Sequence, residues 1–244
     1  MAGRNSNLVT GNNKQMRVHH IGLIAGASLL AGGIVMADTV DLAYMGVNHT
    51  YTASGSFVGG TYNSYVGAYN IDVKGHGAFA SFCIDIYDYS GTVGQYYKYN
   101  VTALADAPQS VGDSNTKMGD AGALAVAKLW DLYYQAATSN LKTAASLQVA
   151  IWEVVNEKGS GSYSLTGGNF TATGGNFDKA LTQNMLNAIA GHNPAQLPNL
   201  FAYVNTTDAT HYQDFIGVPD GGLTLALLGI SMGGVVFFAR RKES

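Results

Sequence analysis

Two apolar runs, one near each end, decide how much of this chain is left to fold. Residues 21–35 (IGLIAGASLLAGGIV) follow Lys14, Arg17 and two histidines, and lead through Val35-Met36-Ala37 into the polar Asp38. A basic stretch, a short apolar core and small residues before a polar one make up a secretory signal, with cleavage expected after Ala37. Met16 is a candidate start, since residues 1–15 are polar and add nothing a signal needs. Residues 223–239 (LTLALLGISMGGVVFFA) are followed by Arg240, Arg241 and Lys242. At ~1.5 Å per residue such a run spans roughly 25 Å, just enough for a transmembrane helix. The basic cluster is a membrane stop expected to stay cytoplasmic, which puts the bulk of the chain outside. The organisation expected is a signal peptide over 1–37, one ectodomain over 38–217 and a tail over 218–244.

The junction between ectodomain and tail carries Val218, Pro219, Asp220, Gly221 and Gly222. A short Pro-containing motif, an apolar helix and an Arg-rich end closely resemble the PEP-CTERM sorting tail, in its VPD-type variant. The resemblance covers residues 218–244. It implies export through signal peptidase, handling by an exosortase, and a place at the cell surface with at least transient membrane anchoring.

Residues 38–217 hold seven Lys, no Arg, twelve Asp and two Glu, a net charge near −7. A domain without Arg and with this acidic balance is a poor partner for nucleic acid, which needs cations to neutralise phosphates. Gly, Tyr, Thr, Ser and Asn are abundant, as suits a secreted β-rich domain in which Tyr packs its ring and keeps its hydroxyl wet. No cofactor motif is present: the glycines punctuate strands and form no phosphate loop. The six histidines, His19, His20, His49, His76, His192 and His211, fall at no metal-ligand spacing.

Along the ectodomain, residues 39–99 read as strands. Residues 47–58 and 62–73 alternate polar with aromatic or branched side chains. The strongest strand pattern is 78–87 (AFASFCIDIY), with Phe82, Ile84 and Ile86 on one face and Phe79, Ser81, Cys83 and Asp85 on the other. Residues 105–119 read as a polar loop. Helical periodicity covers 121–137, then about 143–157 with Thr143 as the cap, then 177–190 ended by Gly191 and Pro194. Residues 159–175 read as a loop or hairpin, and 200–216 return to strand-like alternation. The expected fold class is α+β: an antiparallel β-rich domain with a helical block near 120–191.

Cys83 is the single cysteine. An exported chain with one thiol makes no internal disulfide, so the residue needs another explanation. It lies in Ser81-Phe82-Cys83-Ile84-Asp85, and 65 residues later comes Leu147-Gln148-Val149-Ala150-Ile151-Trp152. Together these resemble the signature of bacterial thioester (TQXA) domains of surface adhesins: an aromatic or Leu before Cys on a strand, and Gln-x-Ala-Ile-Trp on a helix. Leu147 stands where that family usually has Thr or another small residue. The resemblance implies a bond between the Cys83 sulfur and the Gln148 side-chain carbonyl, formed with loss of ammonia, with Phe82, Ile151 and Trp152 around it. Such a bond is an activated acyl group. An amine or hydroxyl of a surface partner takes the acyl once, so the protein is a reagent and not an enzyme.

Each residue also has a plainer reading. A lone Cys is commonly an inert core residue, and Gln148 by itself reads as a polar residue on a partly exposed helix face. Asp85, Tyr87 and Glu153 lie near the pair in sequence without an assigned role. A cysteine hydrolase needs a His beside Cys83, and His76, seven residues upstream on a regular strand, faces the other way. Three functions remain: a covalent thioester adhesin, a non-covalent structural protein of an extracellular polysaccharide or biofilm matrix, and a hydrolase using Cys83.

Overall fold

The structure, a computed structural model, describes residues 39–108, 116–157, 161–205 and 211–218. The signal segment, residues 219–222, the apolar run 223–239 and the Arg240-Arg241-Lys242 cluster lie outside the described residues. Val218 is described and packs against the core. Among the described residues no helix is long and apolar enough to cross a membrane.

Among the described residues nine strands form two antiparallel sheets. The larger contains β1 (Thr39–Val47), β4 (Tyr69–Val73), β5 (Gly77–Ser81), β6 (Tyr96–Ala103), β8 (Phe201–Val204) and β9 (Phe215–Gly217), in the order β5-β4-β1-β6-β8-β9. The smaller contains β2 (Thr52–Phe57), β3 (Gly60–Tyr65) and the two-residue β7 (Gly174–Gly175), in the order β3-β2-β7. The expected run 47–58 is therefore β2 with only Val47 left in β1, parted at residues 48–51, and the expected run 62–73 divides between β3 and β4 in different sheets. Gly46 allows the change: its φ of 126° is open to glycine, and the β1–β4 register shifts between Tyr44 and Gly46. Gly55 admits a close approach instead, since a Cβ there would meet the Thr171 carbonyl oxygen at 1.9 Å. That approach seats the 161–173 loop on the small sheet.

Among the described residues the helical block holds three α-helices: α1 (Gly119–Ala137), α2 (Leu141–Asn156) and α3 (Lys179–Ala188). The α+β class and the helical block near 120–191 thus stand as expected. The cap of α2 does not. Asn140 accepts from Thr143 N at 3.0 Å through its side chain, so the helix starts before Thr143. Asn is among the strongest N-cap residues, because its short amide reaches the third amide of the first turn.

From Ala144 to Asn156 every residue of α2 is buried. A predominantly apolar helix buried on every side belongs in the centre of a fold, and α2 packs against α1, α3 and β2. On the α1 side, Trp130 stacks on Tyr134 with centroids 4.0 Å apart, and Phe82 meets Trp130 edge-on at 5.9 Å. Tyr134 Oη donates to Ala80 O at 2.9 Å, tying α1 to the end of β5.

Candidate functional site

The site begins where β5 stops. The alternating run 78–87 is expected to be one strand, yet regular pairing with β4 ends at Ser81. Beyond it the chain changes partner. Ile216 N donates to Phe82 O, and Ile84 N donates to Asp214 O, both at 3.0 Å, with Cys83 opposite Phe215. Ser81 Oγ adds a bond to Ile216 O at 2.6 Å. The two edges of the large sheet, β5 and β9, are joined by this segment, which leaves no open edge there.

In an antiparallel pair, successive residues turn their amide groups to opposite sides. Phe82 and Ile84 spend theirs on the β9 segment, so Cys83 turns its N–H and C=O the other way. Gln148 meets both: Cys83 N donates to Gln148 Oε1 at 3.0 Å, and Gln148 Nε2 donates to Cys83 O at 2.8 Å. One side-chain carboxamide does here what the peptide of a neighbouring strand would do. The structure brings the two predicted residues together, but Gln148 is not on a partly exposed face. Cys83, Gln148, Phe82, Ile151 and Trp152 are each 0% exposed. An unpaired amide at such depth is costly, and this arrangement leaves neither partner unpaired.

The sulfur sits in a turn of its own chain. Cys83 Sγ donates to Asp85 O at 2.6 Å and receives Asp85 N at 3.3 Å. Burial, and then the nearby Asp85 carboxyl, push the thiol well above its ordinary pKa. The indole N–H of Trp152 lies on the sulfur's side and works against that rise, but makes no hydrogen bond of good geometry. A free thiol so placed is protonated at rest. His76 is exposed in the turn between β4 and β5. Gln148, by contrast, has its carbonyl oxygen on a backbone N–H donor, which polarises the carbonyl and suits the oxyanion of an acyl transfer.

Of the neighbours in sequence, Asp85 is brought to the sulfur. Tyr87 gives its hydroxyl to Val58 O at 2.8 Å. Glu153 accepts from Ser164 N at 2.6 Å, and burial raises its pKa to about 8. Sequence reasoning missed the contribution of residues 211–216. Asp214 accepts from Asn205 N at 2.8 Å, and burial raises it to about 8. Asp85 is raised well above the carboxylate range by burial and then by the charge of Asp214. The polar Gln213-Asp214 pair before apolar Phe215-Ile216 is the signal available, and its meaning depends on the sheet closure. Among the described residues no group of three or more His, Cys, Asp or Glu side chains is placed to hold a metal ion.

A cleft of about 390 Å³ opens over this region, with Tyr62, Tyr65, Tyr87 and Tyr89 on its walls and Trp152 and Gln213 among its deepest residues. A larger one, about 520 Å³, lies between α1 and α3 around Leu124, Lys128 and Leu186, and contains none of the groups beside Cys83. Neither Cys83 nor Gln148 lines the smaller cleft, but its Trp152 lies against the Cys83 sulfur and its Gln213 against Asp85.

Comparison with known protein families finds no match, and comparison with curated proteins finds none. Among solved structures the chain is similar to the N-terminal thioester domain of a surface protein from Clostridium perfringens. The two are 13% identical with a TM-score of 0.40, over 74% of this chain and 98% of that one.

Proposed function

We propose that this chain is an exported surface protein whose Cys83 and Gln148 form an internal thioester, used once to acylate a nucleophile on a surface or neighbouring polymer. The observation that supports it is the two-point pairing of the Gln148 carboxamide with the Cys83 backbone, inside a dry core and from two separate elements. Attack of the sulfur on the Gln148 Cδ expels ammonia and leaves the acyl oxygen facing the Cys83 N–H. A later amine or hydroxyl takes the acyl, and the sulfur leaves as the Cys83 thiol. Signal peptidase and an exosortase acting at Val218 to Gly222 would deliver the domain to the envelope.

One observation favours a second reading. Both ends of the Gln148 amide are already satisfied, as in a plain structural clamp, and then the protein is a non-covalent matrix component.

Chemistry on the full chain, purified in detergent, separates the two. Native labelling by a maleimide does not, since the sulfur is buried in either case. In denaturant a thioester leaves no thiol to label, and a tryptic digest contains peptide 75–98 joined to 143–158, lighter by one ammonia. Methylamine releases the thiol and marks Gln148. A labelled Cys83 with both peptides separate, at their encoded masses, leaves the matrix reading standing.

A further inference from the structure

The smaller cleft has a composition that its walls do not need for stability. Tyr65 is 45% exposed and Tyr89 85% exposed. His49 stacks on Tyr65 with centroids 4.2 Å apart and planes 17° from parallel, making one flat outward-facing platform. Between the rings stand short neutral groups, among them Asn63, Ser64 and Ser90; Asp88 is the one carboxylate in the lining. Exposed aromatic faces rimmed by small neutral hydrogen-bonding groups suit a ligand with apolar C–H faces and polar edges.

The floor adds a more specific observation. Trp152 Nε1 and Gln213 Oε1 are buried and make no hydrogen bond of good geometry, although Trp152 lies against the Cys83 sulfur and the Gln213 side chain against the Tyr69 hydroxyl, in residues 0% and 6% exposed. They are a donor and an acceptor in the same cleft. The sulfur beside Trp152 is too weak an acceptor to satisfy an indole N–H. A hydroxylated ligand answers both atoms whatever separates them, because each hydroxyl donates and accepts. An ammonium group only donates and leaves the indole N–H unanswered; a carboxylate only accepts and leaves Gln213 Oε1 unanswered.

We propose that this cleft binds a neutral saccharide and presents one of its hydroxyls to the Gln148 acyl group. The covalent step rests on the thioester reading above; the binding step does not. In the covalent step the sugar oxygen adds to Gln148 Cδ as the Cδ–Sγ bond breaks. An ester forms at Gln148, the hydroxyl proton ends on Cys83 Sγ as a thiol, and no other reagent is consumed. Tyr65 and Tyr89 supply the stacking faces and Gln213 orients the hydroxyl.

The test uses full chain in detergent and end-labelled hexasaccharides of glucose, galactose, mannose and N-acetylglucosamine, with a labelled lysine-containing hexapeptide as the amine probe. Cys83→Ala has no thioester to lose, so its equilibrium binding reports the cleft alone. At least one hexasaccharide is expected to bind Cys83→Ala, and to bind at least tenfold more weakly when Tyr65→Ala and Tyr89→Ala are added. These two exposed positions carry little of the core, and an unchanged circular dichroism spectrum checks the fold. The wild-type chain should then capture the same saccharide in a bond that hydroxylamine cleaves, as it cleaves esters and not amides. Saccharide binding without capture would count against the thioester and leave the cleft assignment intact. Binding of the peptide and no saccharide, binding of neither, or binding indifferent to the two tyrosines overturns the saccharide site.

Discussion

The Gln148 carboxamide pairs with both the N–H and the C=O of Cys83, at 3.0 and 2.8 Å, on the side of the segment that β9 leaves unpaired. The same contact thus satisfies the outer side of the segment and holds the Gln148 carboxamide against the backbone of the residue that carries the one thiol in the chain. The structural role and the chemical role are not alternatives in space. They differ in whether the sulfur has displaced ammonia.

This double role separates two substitutions that look equivalent. Cys83→Ala removes the sulfur and any cross-link but keeps the backbone pairing with Gln148. A link across 65 residues, behaving like a disulfide of similar loop length, contributes about 4 kcal/mol. Gln148→Ala removes that link too, and leaves two buried backbone groups unpaired at about 1–3 kcal/mol each. Gln148→Ala is therefore expected to be less stable than Cys83→Ala by about 2–6 kcal/mol, whether or not the bond forms. Urea midpoints at constant slope measure the gap. Coincident midpoints would show that the clamp contributes nothing.

Part of this arrangement is legible in the sequence, and the part that is not has physical causes. The three helices follow from periodicity, while the expectation that Cys83 and Gln148 meet comes only from the resemblance of their two segments to thioester domains. The alternation over 78–87 does not show where the strand stops, because it reports which way side chains point and not which strand is the partner; here the partner changes from β4 to β9 after Ser81. The burial of Gln148 is not legible locally, because a single polar residue in a helix pattern usually marks solvent and its partner lies 65 residues away. The cleft was illegible for a similar reason. It is assembled from β3, the 86–90 segment, α2 and Gln213, which share no local pattern.

The ends of the chain give a prediction that depends on no contact in the domain. The mature protein is expected to begin at Asp38, read by N-terminal sequencing of membrane-extracted material; a start upstream of Ile21 would rule out a cleaved signal. Replacing Pro219, or deleting Arg240 to Lys242, should leave export intact and mislocalise the protein. Both variants fractionating with wild type would remove the case for exosortase sorting.

The buried carboxyls set the direction of the pH dependence. Asp214 and Glu153 are each raised to about 8 in the folded domain, chiefly by burial, from ordinary values of 3.8 and 4.5. Asp85 moves the same way. Groups with raised folded pKa bind protons more tightly in the native state than in the unfolded one, so unfolding releases protons and stability falls as pH rises. Their contribution is fully present below about pH 4, declines through the interval up to about pH 8, and is flat beyond it. The melting temperature is accordingly expected to be higher at pH 5 than at pH 8, against the usual acid sensitivity of domains whose carboxylates are paired. Asp214→Asn keeps an oxygen for Asn205 N and cannot ionise, so it should flatten part of the slope and raise stability at pH 8 relative to wild type. Glu153→Gln should do the same independently, since its partner is Ser164 and not Asn205. Scanning calorimetry across pH 4 to 9 on the three proteins tests this. A melting temperature that rises with pH over that range, or an Asn variant with the wild-type slope, would show that Asp214 ionises in the native domain at ordinary pH.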